Sequence, residues 1–248
     1  MDQQTKAALK HDQFVETTAT GLSWASQNRR SVITSVSILA LVIVLLVGGG
    51  VLYSHRSEQA STAFGAAMQS YQTPLATPGQ AVPPGVKTFS SVVERAKAAN
   101  AQFLDVANHY GMTSAGKNAL YFAGLTYIEA NQNTDAEATL KKVADGWDSE
   151  LSSLAKLSLA QLYRQTNRDP LAIDLYNQLT AKPTTTVAAG LAQLQLAELY
   201  ESEGKSADAK KIYAQLKDKD AKGVIGQTAA QKLNPAPAGG PGAGIQAQ

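Results

Sequence analysis

The sequence predicts an all-α protein in which one transmembrane helix precedes a solenoid of helical hairpins. Three observations support this fold class. Residues 32–53 form an uncharged apolar run, and residues 117–223 show self-similarity at a period of 36 to 37 residues. In addition, 44% of the chain is hydrophobic although only 6% is aromatic. A composition in which Ala, Leu, Gln, Lys and Glu are prominent is typical of helices that pack closely through small residues.

The composition also excludes several kinds of functional site. The 248 residues include no cysteine, so the chain has no disulfide, no thiolate metal site, no cysteine nucleophile and no lipid-modified cysteine. Its 22 basic and 20 acidic side chains leave a formal charge of +2. Because proteins that hold phosphates usually present a strongly basic face, we expect no nucleic-acid partner.

Residues 1–31 are predicted to form a cytoplasmic amphipathic segment. Phe14, Thr18 and Leu22 recur at helical spacing, and Trp24 lies shortly before the apolar run. Two interpretations remain open for this segment. It is either a helix lying on the membrane surface or a docking helix for a cytoplasmic partner.

Residues 32–53 predict a transmembrane helix, because 22 residues without a charge cross a hydrocarbon core of about 30 Å. A cleaved signal peptide is the alternative, but its apolar core is only about 7–15 residues long. Arg29 and Arg30 precede the run, whereas Arg56 and Glu58 follow it. The positive-inside rule then predicts a bacterial inner-membrane protein with a cytoplasmic N-terminus and a periplasmic C-terminal domain.

The soluble region contains three similar copies of a two-helix pattern. Residues 154–163 and 191–200 are identical at seven of ten positions. A small residue and a large apolar residue then recur, four positions apart, in the second half of each copy. These pairs are Ala136 and Leu140, Ala172 and Tyr176, and Ala209 and Tyr213.

This pattern resembles the tetratricopeptide repeat, in which a small residue and then a tyrosine occupy the first helix and a small and a large residue the second. The matching first-helix pairs are Gly124 and Tyr127, Ala160 and Tyr163, and Ala197 and Tyr200. The resemblance implies a tetratricopeptide-like helical-hairpin solenoid. The chain departs from the family pattern in lacking its tryptophan and closing proline and in having a slightly longer period.

The domain boundaries follow from these segments. We expect a cytoplasmic segment at 1–31, a transmembrane helix at 32–53, a repeat domain at 54–233 and a disordered tail at 234–248, which lacks periodicity. Within the repeat domain we expect a split first unit at 58–110, repeats at 117–150, 153–186 and 190–223, and a capping helix at 224–233. Four prolines and two glycines in residues 72–88 exclude a helix there, so an exposed loop splits the first unit.

The sequence offers no catalytic, cofactor-binding or metal-binding residues. His11, His55 and His109 lie in different segments, each without a second histidine one helical turn away. The acidic residues within 145–150 are better explained by helix capping than by acid-base catalysis. We therefore expect a non-enzymatic protein without a cofactor or a small-molecule substrate.

The family framework implies a groove for protein partners, because first helices line the concave side of such stacks. The implied groove residues are Asn118, Tyr121, Leu125, Ile128, Leu154, Leu157, Gln161, Arg164, Leu191, Leu194, Glu198 and Glu201. Periodicity does not separate buried from groove-facing apolar positions. The leucines therefore remain either core or binding surface.

The architecture of residues 10–233 is similar to that of the single-pass ancillary subunit of the bacterial SecYEG translocon. That family is thought to assist secreted chains together with periplasmic chaperones. The resemblance implies a membrane-anchored adaptor whose partners are translocon subunits or periplasmic chaperones. The alternative is a scaffold for cell-envelope assembly or cell division, whose partners would be envelope-assembly proteins.

Overall fold

The computed structural model describes residues 28–77, 79, 85 and 87–234, and it confirms the predicted all-α fold class. The chain divides into two units, Met1–Arg56 and Ser57–Gln248, and we call the second the repeat unit. The described residues form nine helices: α1 Arg29–Tyr71, α2 Val92–Tyr110, α3 Ser114–Glu129, α4 Asn133–Ala144, α5 Ser149–Gln165, α6 Asp169–Ala181, α7 Ala189–Ser202, α8 Ser206–Lys219 and α9 Val224–Leu233.

In the first unit, the described residues belong mainly to the N-terminal part of α1. Its large apolar side chains between Ile33 and Leu52 are 44% to 70% exposed. Such continuous exposure of apolar side chains is unfavourable in water and suits a lipid environment. The helix is long and apolar enough to cross a membrane, as residues 32–53 predict. Residues 1–27 of the predicted amphipathic segment lie outside the described residues.

The repeat unit is a stack in which each helix from α2 to α9 packs against the next one along the chain, and Phe64 of α1 contacts Phe103 of α2. Helices α3 and α4, α5 and α6, and α7 and α8 form the three hairpins. The small residues Ala160, Ala172 and Ala197 are fully buried. The large second-helix residues Tyr176 and Tyr213 are also buried, with at most 1% of their surface exposed. These residues therefore pack the core as the resemblance implies, with small side chains allowing close helix approach.

The turn inside each hairpin has the same geometry in all three copies. Asn131, Asn167 and Gly204 occupy the left-handed region, with φ of 60°, 56° and 78°. The next backbone N–H in each copy donates to the carbonyl of the first-helix tyrosine, at 2.7 to 2.8 Å. This is the Schellman arrangement that satisfies carbonyls at the end of a helix. Asparagine tolerates this backbone conformation better than most other residues do.

The loop between α1 and α2 is closed at its base by backbone pairing. The Ala76 N–H donates to the Phe89 carbonyl at 2.8 Å, and the Phe89 N–H donates to the Pro74 carbonyl at 3.2 Å. The described residues between Tyr71 and Val92 are not helical, in agreement with the proline content of the segment. This pairing holds together the two ends of a loop that splits the first helical pair.

Candidate protein-binding groove

The groove residues implied by the sequence lie on α3, α5 and α7, the first helices of the three hairpins. Asn118, Gln161 and Glu201 are exposed, whereas Leu194 is buried. The others are half-buried: Tyr121, Leu125, Ile128, Leu154, Leu157, Arg164, Leu191 and Glu198. A half-buried side chain presents one side to its neighbours in the stack and the other to solvent. We call the surface made by the exposed and half-buried residues of this set the first-helix surface.

The part of the first-helix surface nearer the N-terminus is mainly apolar. Ile128 and Leu157 pack against the buried core while keeping part of their area exposed. The hydroxyl groups of Tyr121 and Ser158 lie 3.2 Å apart and join α3 to α5. This hydrogen bond orients the Tyr121 ring, which packs edge-on against Phe122 with centroids 5.6 Å apart. A rigid aromatic side chain with a polar tip is well suited to contact a protein partner.

The part of the first-helix surface nearer the C-terminus is polar and encloses an open cavity of about 530 Å³ between α5 and α7. Its lining residues are Gln161, Arg164, Gln165, Asn167, Asp169, Leu199 and Ser202. Arg164 Nη1 donates to Gln195 Oε1 at 3.5 Å, and Gln195 Nε2 donates to Glu198 Oε2 at 3.0 Å. Two predicted groove residues, Arg164 and Glu198, are thus connected through Gln195, which was not predicted.

Two tyrosines beneath this region are perturbed electrostatically. Burial raises the pKa of Tyr176, and the nearby Arg164 guanidinium partly opposes that shift. Burial also raises the pKa of Tyr213, and its hydroxyl donates to Glu201 Oε2 at 3.0 Å, which adds to the shift. Lys232 lies 3.5 Å from the same Glu201 carboxylate. Both phenols therefore stay neutral near pH 7, and Glu201 is oriented by two partners.

The structure distributes the leucines between the core and the first-helix surface. Leu194 is only 8% exposed and packs with Tyr213 and Leu216 in the C-terminal core cluster. Leu154 and Leu191 pack against the central core but are half-buried. Their residue type does not distinguish the two environments, because both kinds of position recur with the helical period.

Sequence reasoning missed Ser158, Gln195 and the residues that extend the polar cavity at the ends of α5 and α7. Ser158 follows Leu154 by one helical turn, and Gln195 follows Leu191 in the same way. The spacing of the predicted residues could therefore have identified both positions. Asn167 lies in the hairpin turn and Asp169 is the first residue of α6, and only the three-dimensional path of the chain brings them to the cavity.

The described residues contain no group of three or more histidine and acidic side chains that could hold a metal ion. The carboxylate of Asp148 caps α5 by accepting the Leu151 N–H at 3.2 Å, as the sequence predicts. Glu150 accepts the Thr186 N–H at 2.8 Å and hydroxyl at 2.9 Å. These acidic side chains organise turns, and His11 lies outside the described residues.

Comparison with known proteins supports the repeat assignment. The sequence model of the tetratricopeptide repeat matches residues 191–222, which cover most of α7 and all of α8. The repeat fold resembles two crystal structures from Podosopora anserina, of a protein described as a kinesin light chain with nearly identical TPR-like repeats and of a single-residue variant. Their TM-scores are 0.53 and 0.52, at 16% and 15% identity. The alignments cover 72% and 71% of this chain and 84% of each neighbour. No curated protein matches the sequence.

Proposed function

We propose that this chain, whose residues 191–222 match the tetratricopeptide repeat, is a membrane-anchored periplasmic adaptor that binds protein partners through its first-helix surface. One observation carries the proposal. The first-helix surface combines half-buried apolar residues with a polar cavity of about 530 Å³. The same chain has a helix, α1, that is long and apolar enough to span a membrane. Extended surfaces of this kind are what repeat stacks offer to protein ligands.

The composition of the first-helix surface suggests how a partner would be held. Tyr121 and Leu157 offer apolar area next to the core, where a buried aromatic or aliphatic side chain of the partner contributes most to affinity. Arg164 and Glu198 supply both signs of charge on one network. Polar groups in such positions determine register and orientation more than they determine affinity.

The proposed partners are translocon subunits or periplasmic chaperones. Photo-crosslinking from Asn118 or Gln161 in cells tests this, because both side chains are exposed on first helices. A probe at Asn177, which is exposed on the second helix α6, is the matched control. We expect the first two probes, but not the third, to capture a Sec component or a membrane-anchored foldase. Recovery of no Sec component or chaperone from either position would count against these partners.

The alternative role at the septum gives a different result in a separate measurement. A fluorescent fusion of the full chain should give a uniform signal around the membrane for an adaptor of the translocon. Enrichment at the division site would instead favour the scaffold for cell-envelope assembly. Protease treatment of spheroplasts tests the orientation, since protection of the repeat unit would contradict a periplasmic location.

A further inference from the structure

The most exposed large apolar side chains of the repeat unit all lie at one kind of turn. Met112, Trp147 and Val224 are 88%, 84% and 80% exposed, whereas the other exposed large apolar residues in the described part of this unit reach only 45%. Met112 lies between α2 and α3, and Trp147 lies between α4 and α5. Val224 is the first residue of α9 and follows the turn from α8. Each of these turns joins one helical pair to the next.

Turns of this kind share one edge of the stack, because successive helices run in opposite directions. The opposite edge holds the turns inside the hairpins, which contain Asn131, Asn167 and Gly204. The residues that follow are Gln132, Arg168 and Lys205, and no large exposed apolar residue is found in these three described turns. Leu75, Val92 and Leu171 lie toward that opposite edge but are only 37% to 45% exposed, so the two edges differ in how far their large apolar side chains are exposed. We call the edge with Met112 and Trp147 the apolar edge.

The chain enters the repeat unit at the apolar edge. Tyr71 packs near Arg95 and Phe64 packs against Phe103, with distances of 5.7 Å in both cases. This order makes the repeat-unit part of α1 antiparallel to α2. The direction of α1 therefore places the beginning of the repeat unit, Ser57, toward the end of α2 and the turn that contains Met112.

Covalent connection keeps this edge near the bilayer if residues 32–53 span the membrane. Four residue steps separate Tyr53 from Ser57, and they reach at most about 14 Å even when fully extended. The turn with Met112 follows α2, and helices in contact are about 8–10 Å apart. This turn is therefore about one interhelical distance further away than Ser57. Chain length alone thus tethers the nearest part of the apolar edge, the turn with Met112, within reach of the membrane surface.

The pair of Lys117 and Trp147 at this edge has the chemistry of a membrane interface. Lys117 Nζ lies 3.7 Å from the centroid of the Trp147 ring. This contact places a large apolar ring next to a cation that can approach lipid phosphates. Tryptophan is enriched where hydrocarbon meets headgroups, and lysine extends its charge outward from an apolar stem. Beside the ring is a cavity of about 210 Å³, with Leu120, Val143 and Leu151 among its lining residues.

We propose that the apolar edge docks on the phospholipid surface in which the chain is anchored, with Met112 and Trp147 inserted at the headgroup level. The proposal rests on the membrane anchoring in the proposed function. Docking would hold the repeat unit by its edge and leave the first-helix surface available to protein partners. A lipid surface suits these residues better than a second protein does, since the chain itself brings this edge to the bilayer.

Fluorescence of Trp147 in vesicles tests the proposal directly. The full chain carrying W24F has Trp147 as its only tryptophan and is reconstituted into vesicles of phosphatidylethanolamine and phosphatidylglycerol. We expect lipids with brominated acyl chains to quench most of the Trp147 emission and unlabelled vesicles to shift it to shorter wavelength. The matched control carries W24F, W147F and Q132W, which moves the tryptophan to an exposed position on the opposite edge, where quenching should be weak.

Flotation of the same vesicles separates this proposal from membrane anchoring. If the chain floats but Trp147 is quenched no more than the tryptophan introduced by Q132W, docking of the edge is wrong although anchoring stands. If the chain does not float, both are wrong. Capture of a protein by a crosslinker at Trp147, without quenching, would assign the edge to a protein partner and also overturn the proposal. Circular dichroism checks that each variant keeps its helices.

Discussion

Glu137 connects two neighbouring repeats through a single carboxylate. It lies on α4 and accepts hydrogen bonds from Lys141 Nζ at 2.7 Å, Arg168 Nη1 at 2.6 Å and the Tyr163 hydroxyl at 3.1 Å. Lys141 belongs to the same helix, whereas Tyr163 lies on α5 and Arg168 immediately precedes α6. The hydrogen bond from Lys141, followed by those from Arg168 and Tyr163, lowers the pKa of Glu137 to about 2.

This shift predicts a loss of stability in acid. Because the pKa of Glu137 in the folded state lies below its ordinary value of 4.5, the folded state binds fewer protons than the unfolded state as the pH falls from about 5 to about 2. Glu137 therefore stabilises the folded state fully above about pH 5, and this stabilisation is lost as the pH falls toward about 2. We expect E137Q to lower the free energy of unfolding by about 1–3 kcal/mol at pH 7.

Urea unfolding of the full chain in detergent, at pH 7 and pH 3, measures this effect. E137Q should also reduce the difference between the two pH values. D174N is a suitable control, since Asp174 is exposed on the neighbouring helix α6. Equal pH dependence of E137Q and the parent chain would contradict the role assigned to the carboxylate.

At the level of single elements, Gly124 sets the distance between α3 and α4. A Cβ atom at this position would lie 2.6 Å from Leu140 Cδ2 and 2.7 Å from Leu140 Cγ. Leu140 is fully buried, so it cannot move away without disturbing the core. We expect G124A to destabilise the repeat unit by about 1–3 kcal/mol, as other overpacked cores are destabilised.

Gly65 provides the matched comparison for this helix contact. It lies within α1 in the repeat unit, and a Cβ atom there would meet nothing within 4 Å. G65A should therefore stabilise the helix by about 0.5–1 kcal/mol, because alanine loses less backbone entropy. Thermal unfolding of the two variants measures the contrast, and equal shifts in Tm would show that Gly124 is not a close contact.

The sequence predicted that Gly124 and Leu140 belong to one repeated pattern of small and large residues, but it did not predict that these two residues contact each other. It did not predict the pairing of Glu137 with Arg168, which are 31 residues apart and follow no recurring pattern. It also left open which leucines face the first-helix surface. Leu194 and Leu157 have the same residue type at equivalent positions 37 residues apart, yet only Leu194 is buried, because the burial of each depends on its own neighbours.

At the level of the whole molecule, α9 covers the last hairpin. Ala229 is fully buried, and Ile225 and Leu233 pack against the cluster that contains Tyr213 and Leu216. Removal of α9 would expose this apolar face to water. Since each repeat is stabilised mainly by its nearest neighbours, the damage should remain near the C-terminal end of the stack.

Hydrogen exchange of a chain truncated after Gly223 tests this prediction. We expect amides in α7 and α8 to exchange faster, whereas protection in α2 and α3 should change little. Truncation after Asn234 is the control that keeps α9 intact. Uniform loss of protection from α2 to α8 would contradict nearest-neighbour coupling and would indicate that the stack unfolds as one cooperative unit.

The backbone pairing of Ala76 and Phe89 makes the split first pair a natural place for protein engineering. Because those hydrogen bonds join the two strands of chain at the base, the separation of the loop ends does not depend on what lies between them. The entropic cost of lengthening such a closed segment grows only with the logarithm of its length. A fluorescent reporter or an affinity module inserted between residues 79 and 85 would therefore leave the pairing of α1 with α2 unchanged.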